Sequence, residues 1–141
     1  MVLAAQSVPT ASQIPCISAL ETGWSFAGMR VFDGTTEFFL DSDRAGIHAV
    51  HVRLSDSCDI TNATEVPSDE PGARRFEQID SVQGRYSGTR YYTFAGGCIR
   101  YQFDFPAEGQ AELTTQISRS LDLESRSELA DAFHEMTGLS F

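Results

Sequence analysis

Apolar and polar residues alternate with a period of two through the middle of this chain, and the period lengthens only near its end. The clearest alternation lies at residues 87–106, SGTRYYTFAGGCIRYQFDFP, which reads as two strands joined by Gly96-Gly97. A Gly-Gly pair suits the primed two-residue turns of hairpins, because both central positions need positive φ. That loop sets Phe94 opposite Ile99, Tyr92 opposite Tyr101 and Arg90 opposite Phe103. Side chains alternate faces along a strand. One face therefore carries Tyr92, Phe94, Ile99, Tyr101, Phe103 and Phe105, and it must be covered by another layer. The other carries Thr89, Tyr91, Thr93, Cys98, Arg100, Gln102 and Asp104.

Residues 27–40 form a second hairpin with Asp33-Gly34 at its turn, pairing Val31 with Thr36, Arg30 with Glu37 and Met29 with Phe38. Arg30 and Glu37 make a cross-strand ion pair on a solvated face. Residues 46–55 are a further strand, with Val50, Val52 and Leu54 on one face and Ala49, His51 and Arg53 on the other. The polar run 56–72 is a long connection rich in turn formers. Residues 73–82 space Phe76, Ile79 and Val82 as a helix would, yet their place before a hairpin favours a bulged strand. Toward the end the period becomes helical. Leu113, Ile117 and Leu121 recur every four residues, and Leu129, Ala132, Phe133 and Met136 follow the i, i+3, i+4, i+7 pattern. Ser125 with Glu128 forms a capping box, and Gly138 suits the left-handed position beyond a helix end. These two helices are expected to form a helical hairpin against the sheet. Residues 1–15, small and polar with two prolines, read as a flexible or tether-like tail, and an irregular segment anchored by Trp24 follows. The expected fold is α+β: a mainly antiparallel β-sheet or small β-sandwich built from hairpins, with two C-terminal helices packed on it. Residues 16–141 form a single domain.

Charge narrows the partners. The 141 residues hold 20 acids and 10 bases, a net charge of −10, and all the bases are arginine. Such a surface repels nucleic acid and anionic lipid headgroups. No run of about 18 apolar residues exists to span a membrane. Cys16, Cys58 and Cys98 include no C-x-x-C pair, which argues against a zinc ribbon or thioredoxin-type site. Cys58 ends one expected strand and Cys98 begins another, positions that a disulfide can join; reduced buried thiols are the alternative.

Each chemical motif has a plainer reading. His48-Ala49-Val50-His51 has the spacing of a metal pair, but positions three apart on a strand face opposite ways. Asp41-Ser42-Asp43 opens like a calcium loop, yet Ala45 and Val52 stand where ligands are required. No G-x-S-x-G supports a serine nucleophile, and Asp104 reads as a surface ion-pair member. No catalytic residue, metal or cofactor emerges. A binding patch does: Tyr91, Thr93, Arg100 and Gln102 share the hairpin face opposite the aromatic one, and aromatic and arginine side chains are enriched at interfaces.

Three segments carry a resemblance: Asp56-Ser57-Cys58, residues 69–76 (DEPGARRF) and residues 88–98 (GTRYYTFAGGC), with a terminal helix opened by a Ser-Arg-Ser-Glu-Leu run at 125–129. Together they resemble the C-terminal extracytoplasmic domain of uncharacterised actinobacterial membrane-anchored proteins, over roughly residues 45–138. The resemblance implies a location outside the membrane, in the cell envelope, and a Cys58–Cys98 pairing; it transfers no functional residues and leaves Cys16 unexplained. The expected function is a non-catalytic extracytoplasmic binding or interaction module for a protein partner or envelope component, or an accessory subunit of a membrane-associated complex. The alternative is a small hydrolase with a site assembled from residues distant in sequence. A concave pocket with convergent acids or a buried His would favour the enzyme, and a flat exposed patch around Tyr91 and Arg100 would favour binding.

Overall fold

The computed structural model describes residues 8–32 and 34–138. The strands run in chain order β1 (Gln13–Ile17), β2 (Trp24–Phe32), β3 (Thr35–Ser42), β4 (Gly46–Ser55), β5 (Thr64–Val66), β6 (Arg74–Ser81), β7 (Arg85–Phe94), β8 (Gly97–Pro106) and β9 (Leu121–Ser125). Helix α1 (Gln110–Ser120) precedes β9 and helix α2 (Arg126–Thr137) follows it. Strands β2 to β8 build one antiparallel sheet in the order β2-β3-β4-β8-β7-β6-β5, and β1 pairs with β9 as a separate ribbon. The fold is mainly β with a small helical part. Two meanders, β2-β3-β4 and β5-β6-β7-β8, meet at the central β4–β8 pair.

The expected hairpins form. Arg30 pairs with Glu37, Val31 with Thr36 and Met29 with Phe38. The turn at Asp33-Gly34 involves Asp33, which lies outside the described residues; Gly34 has φ 76°. At β7–β8 the register differs from expectation. Thr93 faces Cys98, Tyr92 faces Ile99 and Phe94 faces Gly97, so the loop is Ala95-Gly96. The physical reason lies at Gly97, where a Cβ would sit 2.8 Å from Phe94 and 2.9 Å from Ala11, so Gly97 serves strand packing and not the turn. The slip is two residues in the pairing sum, which preserves both faces.

The aromatic face is covered as expected. Ile99, Tyr101, Phe103 and Phe105 join Phe38, Leu40, Val50, Val52 and Leu54 in one core, closed from outside by Leu113 and Ile117 of α1 and by Ile14 of β1. Trp24 stands edge-on to Phe105 at 6.1 Å and donates from Nε1 to Gln116 of α1 at 2.9 Å. Residues 73–82 adopt the bulged strand, with the register shifting between Ile79 and Ser81.

Three expectations about the ends need correction. Residues 1–7 of the expected tail lie outside the described residues, but 8–15 are built into the body. Val8, Ala11 and Ile14 are buried, and Ser12 N–H donates to the Ala95 carbonyl at 3.0 Å. Residues 24–26, expected to be irregular, extend the first strand of the 27–40 hairpin, so that β2 is an edge strand starting at Trp24. The two helices are not joined as a hairpin, because the link between them, Leu121–Ser125, is itself a strand paired to β1. Helix α2 is capped as expected: Ser125 Oγ accepts from Glu128 N–H at 3.2 Å, and Gly138 has φ 72°. Its apolar stripe is largely unburied, with Leu129 packed against the core and Met136 84% exposed.

Candidate binding pocket on the polar face

With α1 and the β1–β9 ribbon packed on one face of the sheet, the opposite face is finished by the strands' own polar side chains and by whatever loop crosses it. The crossing loop is the connection from β4 to β5. It starts at the centre of the sheet and must reach the far edge, so it passes over the polar face. A disulfide between Cys58 and Cys98 pins it there, with Cα atoms 5.9 Å apart. Beneath it Phe76, Tyr91 and Cys98 form a small second core with Ile60 and Ala63 packed on them.

Register fixes what stands beside this loop. Arg30, Glu37, Arg53, Arg100, Tyr91, Phe76 and Glu65 are successive direct partners on neighbouring strands, hence one row across a single face. Arg53 and Arg100 are therefore side by side. Opposite charges would ordinarily settle such a pair, but the acids of the row are engaged elsewhere. Glu37, only 5% exposed, pairs with Arg30 and receives His51 Nε2 at 2.7 Å. Burial pushes the Glu37 carboxyl up, but the His51 hydrogen bond and the His51 and Arg30 charges outweigh it and hold it below its ordinary range. Glu65 is gripped by both Nε and Nη2 of Arg74, at 2.9 and 2.8 Å. Among the described residues neither Arg53 nor Arg100 has an ion pair or hydrogen bond through its guanidinium, and Arg100 Nε is buried without a partner. Arg75 also has an unpartnered Nε, but its terminal nitrogens reach Glu77 at 2.7 Å and Asp69 at 3.5 Å.

The two arginines line a cavity of about 500 Å³, with Tyr91 and Gln78 from the sheet and Asp56 and Asp59 from the crossing loop. Both aspartates are exposed. Asp59 accepts from Thr61 Oγ1 at 2.5 Å and from Thr61 N–H at 3.0 Å, and these bonds hold its carboxyl below the usual range.

Of the four residues expected to bind, Tyr91 and Arg100 line this cavity. Thr93 and Gln102 share the face but not the lining; Gln102 Oε1 lies 3.3 Å from His51 Nδ1. Tyr91 is buried, under the crossing loop and not under helices. Alternation places Arg53 on this face, and nothing local marks it as Arg100's neighbour, because the two pair between strands distant in sequence.

The histidine geometry departs from expectation. The β3–β4 register shifts beyond Leu40 and Val50, and His48 takes φ 53°, so a bulge turns it to the side of His51. Both imidazoles stack on Phe39, with centroids 4.2 and 4.5 Å away. His48 is exposed. Among the described residues no three His, Cys, Asp or Glu side chains cluster as metal ligands. Asp104 pairs with Arg85 Nε at 2.8 Å, the surface ion pair expected of it. Cys16 is half-buried, and burial with the Glu124 hydrogen bond pushes its thiol up to about 12.

Fold and site together define a mainly β module with one sheet face covered over its centre and the other carrying an arginine-centred pocket. No family model matches the chain, and no curated protein matches it. A crystal structure of a protein from Bacteroides thetaiotaomicron VPI-5482 is similar over 76% of this chain, at 13% identity and a TM-score of 0.39. The chain spans 43% of that protein's length.

Proposed function

We propose that this is a non-catalytic extracytoplasmic module that binds a protein partner or cell-envelope component through the polar face of its sheet. The observation that carries the reading is the Arg53–Arg100 pair: two arginines directly opposite on β4 and β8, without an ion pair to any acid among the described residues, in the lining of a cavity. The Cys58–Cys98 disulfide supports an oxidising compartment, since such bonds persist outside the reducing cytosol. No described helix is long and apolar enough to cross a membrane, so a membrane association would run through other contacts or other chain segments. The concavity is a feature that a hydrolase would share. Its acids argue otherwise: Asp59 is tied to its own loop by Thr61, and no histidine stands in the lining to act as base.

Co-sedimentation of the oxidised protein with isolated envelope from the source organism tests the reading. Arg53→Glu and Arg100→Glu are expected to weaken binding about tenfold or more, as loss of a charged contact does. Arg119→Glu, on α1 and away from this face, is expected to leave it unchanged. Equal binding by all three variants, or no binding by the unaltered protein, overturns the proposal.

A further inference from the structure

We infer that the Arg53–Arg100 pocket is a subsite for a hydroxyl-bearing monocarboxylate, the chemistry of a sugar acid, held with its carboxylate between the two guanidiniums. The inference rests on the binding role proposed for this face and names what that face recognises. Two planar forks side by side match the two oxygens of a carboxylate, and charge-assisted bonds of this kind are the stronger ones. Arg100 Nε is buried without an acceptor, so a ligand meeting the Arg100 fork displaces no protein partner from it.

The rest of the lining sets the charge and the body of the ligand. Asp56 and Asp59 share the lining, so a dianionic phosphate meets repulsion that a monoanion meets less. The features that usually cradle phosphate are missing from the lining, which has neither a helix N-terminus nor a glycine-rich loop. Beyond the arginines, Thr35, Ser55, Ser57, Asn62 and Gln78 present hydroxyls and amides, with no apolar slot for the side chain of a peptide's last residue. Hydroxyl groups are what such donors and acceptors satisfy, with the aspartates accepting. A cavity of about 500 Å³ lies within the range of small-ligand sites.

The test is a titration of the ¹⁵N-labelled, oxidised full chain, followed at the arginine Nε–H signals and the backbone amides of Ser55 and Gln78. The probes are sodium glucuronate, trigalacturonate, glucose, inorganic phosphate and N-acetylalanine. Glucuronate is expected to shift these signals in a saturable way, with glucose silent and phosphate and N-acetylalanine weaker. Arg53→Gln and Arg100→Gln are expected to weaken glucuronate about tenfold or more, and Arg53→Lys, which keeps the charge and loses the fork, by less. Thermal melts of each variant separate lost binding from lost folding, and two independent arginine sites protect against one variant that does not fold. Tighter binding of trigalacturonate than of monomer assigns the ligand to an acidic polysaccharide; equal binding assigns it to free sugar acid, and both support the subsite. Phosphate, glucose or N-acetylalanine binding as well as glucuronate overturns it, as does any titration in which the arginine variants bind like the parent. If no hexuronate shifts the pocket while Arg100→Glu still weakens envelope binding, the subsite falls and the binding face stands. If neither effect occurs, both fall.

Discussion

Removing the Cys58–Cys98 bridge is expected to destabilise the whole module and not merely to loosen a loop. The bridged residues are 40 apart in sequence. In the chain-entropy relation a loop of that size removes about 13 cal/mol/K from the unfolded chain, or about 4 kcal/mol at 25 °C. For a chain of this length each kcal/mol moves the thermal midpoint by roughly 2–4 °C, so the double variant Cys58→Ala/Cys98→Ala should melt roughly 8–16 °C lower. The lone tryptophan makes the assay discriminating. Trp24 packs in the main core against Phe105, across the sheet from the bridge, so its fluorescence reports global unfolding. Urea unfolding should show a lower midpoint by Trp24 fluorescence, with a steeper m because the uncrosslinked chain exposes more surface. A loss below about 1 kcal/mol, with faster amide exchange confined to residues 56–63, would refute the reasoning. The bridge would then pin a loop without constraining the unfolded ensemble.

Three further outcomes follow from the same contacts. Gly96→Ala should cost about 2–5 kcal/mol, because the position has φ 76° and a Cβ there would lie 1.7 Å from the Thr10 carbonyl oxygen; chemical denaturation measures it, and a neutral change contradicts the clasp of residues 8–12 over this turn. Glu70 is raised above its ordinary value by burial first and then by the Asp69 and Asp122 charges, so the fold disfavours its ionised form. That penalty is absent below the unfolded value of about 4.3 and complete above the raised folded one, so Glu70→Gln should raise the thermal midpoint at pH 7 and lose that gain at about pH 3.5. Cys16, with its thiol pushed up to about 12, should resist iodoacetamide at pH 8 in the folded protein and alkylate fully on unfolding; rapid modification of the native protein contradicts its burial beside Glu124.

Local signals in the sequence carried most of the sheet. Alternation fixed which residues of β7 and β8 share a face, and a two-residue slip of the loop left those faces intact because side chains repeat every second residue. The same rule misplaced His48, since alternation presumes an unbroken ladder and the bulge beyond Leu40 breaks it. The β1–β9 ribbon was hidden for a different reason. Its strands of five residues pair across more than 100 positions, and Leu121-Asp122-Leu123 reads equally well as the end of one helix and a linker to the next. Half of the pocket was legible as Tyr91 and Arg100. The other half depended on β4 docking beside β8 and on the loop crossing above them, and neither pairing leaves a local trace.

The arrangement at Arg53 and Arg100 costs stability that the fold had means to avoid. Like charges directly opposite on paired strands repel, and with twice as many acids as bases the chain has carboxylates to spare. Instead the nearest acid on the row, Glu37, is committed to Arg30 and His51, and the aspartates that the crossing loop adds to the lining pair with neither arginine. The bridge that holds this loop enters β8 at Cys98, two residues before Arg100, so a covalent bond ties the loop to the strand that carries this arginine. A local inconsistency held in place by a rigid neighbour is where a binding site is expected, because preorganised donors bind an incoming acceptor without first giving up bonds of their own.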